Sequence, residues 1–136
     1  MKKRIVYLST IHVLAIHDQM IKRFGGSHGI RDIGLIESAI GRPMSTFDGA
    51  DLYINIFDKA AALLQSLLKN HAFVDGNKRT ALSCAGVFLK INSYSLINDH
   101  DNEVEFAIKV DNSNLSIEEI SNWLRLHSKD LNKSTE

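Results

Sequence analysis

The segment "TALSCAGVFLKI", residues 80–91, is apolar nearly all the way round. A helix of that kind has no face to give to water. It can only sit at the centre of a domain, with other elements wrapped about it. Immediately before it stands "HAFVDGNKR", residues 71–79, which is dense in charge and hydrogen-bonding capacity. A buried helix therefore begins at a polar, charged end, and the rest of the chain has to accommodate both.

The surrounding pattern is helical. Val13, Ile16, Met20 and Phe24 recur at spacings of three and four, with Leu14 and Ile21 beside them, so the spacing predicts a helix over 10–24. "GGSHG" at 25–29 stops it, and lacking a GK[ST] ending it is a helix-ending turn rather than a phosphate loop. A short helix follows over 32–41, capped by Asp32 and ended by "GRPM". "STFDGA", 45–50, is a loop or short hairpin. A long helix is expected over 51–69, with Tyr53, Phe57, Ala60, Leu64 and Leu67 on one face and Ile54, Ala61 and Leu68 widening it. "NSYSLIND" reads as a turn with one short strand. Further helices fall near 101–111 and 116–127, the second opened by Ser116 and Glu119 at capping-box spacing. The expected fold class is all-α. Residues 1–128 form a single domain, followed by a polar tail, 129–136, expected to fray.

Composition narrows the function. The chain has 136 residues, with 16 basic and 16 acidic, so it carries no basic footprint for nucleic acid and a ribonuclease reading is disfavoured. Its single cysteine, Cys84, excludes an internal disulfide and reads as a small core residue, which fits a reducing, cytoplasmic setting. "MKKRIVYLSTIHVLAI" has the outline of a signal peptide, but His12 interrupts it, no small-residue cleavage site follows, and the amphipathic spacing continues. No apolar run is long enough for a membrane span. His12 and His17 lack the i, i+4 spacing of a zinc helix, and there is no HExxH or CxxC.

The chemistry concentrates at 71–79. If the central helix starts near Gly76, its first N–H groups lack intrahelical partners and its dipole is positive there. Lys78 and Arg79 add full charges, and Gly76 leaves the backbone open to close approach. This is an anion cradle suited to phosphates. Asp75 at its rim can hold Mg²⁺ against phosphate oxygens, cap the helix, or do both. His71 is the residue type suited to take a proton from a hydroxyl near neutral pH, although alone it would be an ordinary loop histidine. Phe73 turns inward to fix the loop. Cradle, metal ligand and base together describe phosphoryl or nucleotidyl transfer. Arg23 can reach either the site or solvent.

"HAFVDGNKR" resembles the signature of the Fic/Doc family: His, any residue, Phe, any residue, Asp or Glu, Gly or Ala, Asn, Gly or Lys, Arg. Lys78 matches the Doc (death-on-curing) branch. "IHDQMIKRFGGSHGIRDIGLIESAIGRP", residues 16–43, is similar to the N-terminal region of Doc-like toxins. The resemblance implies a compact Fic bundle of about six helices with the motif at the N-terminus of its buried central helix. It also implies a toxin of a type II toxin–antitoxin pair that uses ATP and Mg²⁺ to move a γ-phosphate onto a hydroxyl of a translation elongation factor of the Tu class, arresting translation. His71 would be the base, Asp75 the Mg²⁺ ligand, and Gly76, Asn77, Lys78 and Arg79 the phosphate cradle. One departure is Gly76, where many Doc proteins carry Ala. The alternatives are AMP transfer on the same fold and a non-catalytic peptide-binding module. The chain lacks the inhibitory [S/T]xxxE[G/N] helix of some Fic proteins, so inhibition is expected from a separate Phd-like antitoxin with a disordered C-terminal segment.

Overall fold

A computed structural model describes residues 4–97 and 100–133. Among them are six α-helices: α1 (Thr10–Phe24), α2 (Ile33–Gly41), α3 (Ile56–Asn70), α4 (Asn77–Ile91), α5 (His100–Asn112) and α6 (Ile117–Leu126). Two small antiparallel ribbons join them. In the first, β1 (Thr46–Phe47) pairs with β2 (Ala50–Asp51); in the second, β3 (Tyr94–Leu96) pairs with β4 (Ser128–Asp130).

Local chemistry sets most helix starts. Ser9 and His12 form a capping box for α1, and Ser116 and Glu119 form one for α6. Asp32 caps α2 by accepting from the Gly34 N–H at 2.9 Å. The core lies between α3, α4 and α6, with Ala60, Leu64, Leu68, Ala85, Leu89, Ile120 and Leu124 sealed from solvent. Cys84 is buried among them, and burial pushes its thiol pKa well up, which leaves it inert. No helix among the described residues is long and apolar enough to cross a membrane.

The structure departs from the sequence expectations in three places. The third helix begins at Ile56 rather than 51, because Asn55 caps it through the Asp58 N–H at 2.8 Å and Asp51 is drawn into β2. Tyr53 and Ile54 therefore precede the helix, and Tyr53 instead accepts from Arg42 Nε at 2.9 Å. Of the polar end expected to fray, Lys129 and Asp130 belong to β4, which pairs with β3 in the register Tyr94↔Asp130, and 134–136 lie outside the described residues. Finally, the buried stripe of α1 is Val13, His17 and Ile21, whereas Phe24 is 41% exposed. The helix is rotated to bury a histidine because that histidine has partners in the motif loop.

Candidate functional site

The motif runs from the end of α3 to the start of α4. His71 terminates α3 in the left-handed conformation (φ 49°), an uncommon state for a non-glycine residue that turns its imidazole out of the helix. Ala72 and Phe73 then plunge into the core. Asn77 locks the loop: its Oδ1 accepts from the Phe73 N–H at 3.1 Å and its Nδ2 donates to the Phe73 carbonyl at 2.9 Å. A buried backbone N–H and C=O are thereby satisfied by one side chain.

Gly76 is the last residue before α4, in the left-handed region (φ 78°). A Cβ there would lie 3.0 Å from Ile21 Cδ1. The Thr80 N–H makes the first helical bond, to the Gly76 carbonyl at 2.9 Å, so the N–H groups of Asn77, Lys78 and Arg79 precede the helix's own ladder. The helix has no side-chain cap. Asp75, for which capping was one open role, does something else: its Oδ2 accepts from the Ser27 N–H at 2.8 Å.

That bond belongs to a wider seam. The loop expected only to stop α1 lies along the motif, with the Val74 N–H bonded to the Gly29 carbonyl (3.0 Å) and the Arg31 N–H to the Ala72 carbonyl (2.7 Å). From α1, His17 Nε2 meets the Asp75 carbonyl at 2.9 Å, and its ring stacks on Phe73. Asp18 contacts Lys22 and His28, each at 2.9 Å, and its carboxyl is held below the ordinary value chiefly by the Lys22 hydrogen bond. Asp75 is thus gripped at its carbonyl by α1 and at its carboxylate by the 25–29 loop.

The two cationic side chains diverge. Arg79 lies on the α1 side, its guanidinium 4.2 Å from the Phe24 ring centroid. Arg23 also lies near Phe24, at 5.4 Å, and borders the same groove as Arg79. Lys78 lies on the α5 side, where its Nζ is 3.2 Å from Asp111 Oδ2. His71 Nε2 is 3.5 Å from Asp111 Oδ1, so His71 and Lys78 converge on one carboxylate. The structure therefore brings His71 and Lys78 together on Asp111, while Asp75 is held on the α1 side of the same motif loop. It commits the Asn77 amide to the loop, leaving its backbone N–H as what it can offer an anion. Sequence reading missed His17, Ser27 and Asp111, none of which belongs to the motif.

No group of three or more His, Cys, Asp or Glu residues that could hold a metal occurs among the described residues. Mg²⁺ keeps several waters and binds through one or two carboxylates together with substrate phosphates, so the test of fit is whether a single carboxylate is open to face a phosphate. Asp75 has a second carboxylate oxygen beyond the one on Ser27 and is exposed, as such a ligand must be.

The sequence profile of the Fic/DOC family matches residues 7–89. The chain belongs to the Fic/DOC family. It is 55% identical over 78 residues to Toxin Doc of Mycolicibacterium smegmatis, a match covering 57% of this chain and 60% of that toxin's length. It is 29% identical over 119 residues to Protein kinase doc of Escherichia phage P1, covering 88% of this chain and 93% of that protein. Both relatives are Doc proteins, which places this Fic/DOC member on the Doc side of its family. The helical architecture, with the motif opening the central α4, agrees with the compact Fic fold expected from the sequence.

Proposed function

We propose that this chain is a Doc-like toxin that transfers the terminal phosphate of ATP to a protein hydroxyl. The observation that carries the reading is the convergence of His71 and Lys78 beside the free N–H groups of α4. A phosphate bound there would accept from those N–H groups and from Lys78 Nζ. His71 would take the proton of the attacking hydroxyl. The hydroxyl oxygen then bonds to the γ-phosphorus as the bond to the bridging oxygen breaks, and ADP leaves. Mg²⁺, held by Asp75, would offset charge on the phosphate oxygens.

Lys78 decides which phosphate moves. A charged side chain at that place fills the room beside the cradle that a glycine would leave. A terminal phosphate, with more charge and no ribose attached, suits it better than an α-phosphate. The target we infer is a Ser or Thr hydroxyl of a translation elongation factor of the Tu class, reached in the cytoplasm. The inferred antagonist is a Phd-like antitoxin whose disordered segment orders on this surface. A groove of about 410 Å³ between α1 and α4, bordered by Met20, Phe24, Arg79, Leu82 and Val87, lies beside the motif and could receive it.

The test is incubation with target, Mg²⁺ and ATP labelled at either the γ- or the α-phosphate. We expect γ-label only, a mass gain of one phosphate, and a loss of about 10²- to 10⁴-fold in His71→Ala. Uptake of α-label would assign AMP transfer instead. A folded His71→Ala protein that still arrests growth would assign a non-catalytic binding module.

A further inference from the structure

Asp111 stands outside the motif, in the last turn of α5, yet it touches two motif side chains. Its side chain is 16% exposed, whereas His71 and Lys78 are 46% and 45% exposed. The carboxylate is thus largely enclosed between two more open partners, which is unlike a chance pairing of surface charges. It is also in an electrostatically poor place. The carbonyl end of a helix is its negative end, and a carboxylate there is disfavoured unless cations compensate. Lys78 supplies that compensation, and Lys69 adds to it by donating from Nζ to the Asp111 carbonyl at 2.9 Å.

We propose that Asp111 is a positioning residue that serves as a built-in counter-anion: it holds Lys78 until a nucleotide phosphate replaces it, and it fixes the imidazole of His71. This rests on the phosphate-transfer reading of the site. A carboxylate and a polyphosphate compete for the same ammonium, and the polyphosphate, with more charge and the α4 N–H groups behind it, wins. The free protein therefore keeps its cradle neutralised, at the expense of affinity. A carboxylate only accepts hydrogen bonds, so in a neutral His71 we assign the proton to Nε2, the nitrogen that faces Asp111 Oδ1 at 3.5 Å. The lone pair is then on Nδ1, directed away from Asp111, and Nδ1 is the atom that receives the target's proton.

The two roles predict opposite effects of Asp111→Asn. Freed from its competitor, Lys78 binds ATP about twofold to fivefold more tightly by calorimetry. Deprived of its acceptor, His71 loses orientation, and kcat falls about tenfold or more. In a Lys78→Gln background the gain in ATP affinity from Asp111→Asn disappears, because the gain belongs to that pair. Unchanged affinity, or an equal gain in both backgrounds, overturns the competition. Should Asp111→Asn not fold, Asp111→Ala is read in the same way. The nitrogen NMR signals of His71 in the wild-type protein need no variant at all: the proton is expected on Nε2, and finding it on Nδ1 overturns the orienting role. Wild-type protein that binds no ATP would sink the phosphate-transfer reading. Wild-type protein that binds and transfers normally, with Asp111 variants indifferent, would sink only this inference.

Discussion

The imidazole of His17 lies flat on the ring of Phe73, with centroids 3.8 Å apart and planes 8° from parallel, while its Nε2 meets the Asp75 carbonyl at 2.9 Å. One buried side chain of α1 thus holds both the apolar anchor of the motif loop and the backbone of its acidic residue. His17→Ala removes a packed ring and a hydrogen bond together. It should lower the unfolding free energy by about 2–4 kcal/mol in urea titration and speed amide exchange at 72–75. A loss below about 1 kcal/mol would show that the loop stands without α1.

Asp75 has two engagements that a single substitution separates. Asp75→Asn keeps an oxygen to accept from Ser27 but removes the charge. Stability should change by less than about 1 kcal/mol, while Mg²⁺-dependent transfer falls to background. Thermal melting and labelled ATP read the two quantities on one preparation. Lost stability with unchanged activity per folded molecule would make Asp75 only a tie to the 25–29 loop.

Asn77 is matched to Phe73 at both amide atoms. Asn77→Asp keeps the acceptor for the Phe73 N–H but turns a second acceptor toward the Phe73 carbonyl. With Phe73 1% exposed, water cannot make good the loss. A destabilisation of about 1–3 kcal/mol is expected by denaturant titration. Wild-type stability in this variant would mean that the loop rearranges freely.

Lys59 is buried at 1% exposure, and its Nζ reaches the Pro43 carbonyl at 3.2 Å and Asp51 Oδ2 at 3.1 Å. It pins the β1–β2 hairpin to α3. Lys59→Met keeps the stem and removes the charge, so stability should stay within about 1 kcal/mol while amide exchange across 46–51 quickens. Asp51→Ala leaves a buried ammonium short of its partner and should be the more damaging of the two, by about 1–3 kcal/mol. The reverse order in thermal melting would refute the anchor.

Much of the site was legible because it is local. The cap at Asp32, the box at Ser116 and Glu119, the all-round apolar α4 and the polar cluster before it are set by residues within a few positions of one another. The sequence by itself therefore determined where most helices begin, which one is central, and which residues crowd its N-terminus. Tertiary structure alone decided what surrounds them. His17 offers the sequence only a histidine without zinc-helix spacing until Phe73 and Asp75, remote along the chain, arrive to stack on it and bond to it. "GGSHG" reads as a stop signal until its backbone pairs with the motif. Lys129 and Asp130 read as the start of a polar tail until Tyr94–Leu96 offers an edge. Asp111 carries no signal in the sequence and meets His71 and Lys78 only because α5 packs its last turn against the motif. Helix caps follow the chain's own periodicity, but a long-range contact depends on how whole helices rotate and pack, which is settled by burying every apolar face at once.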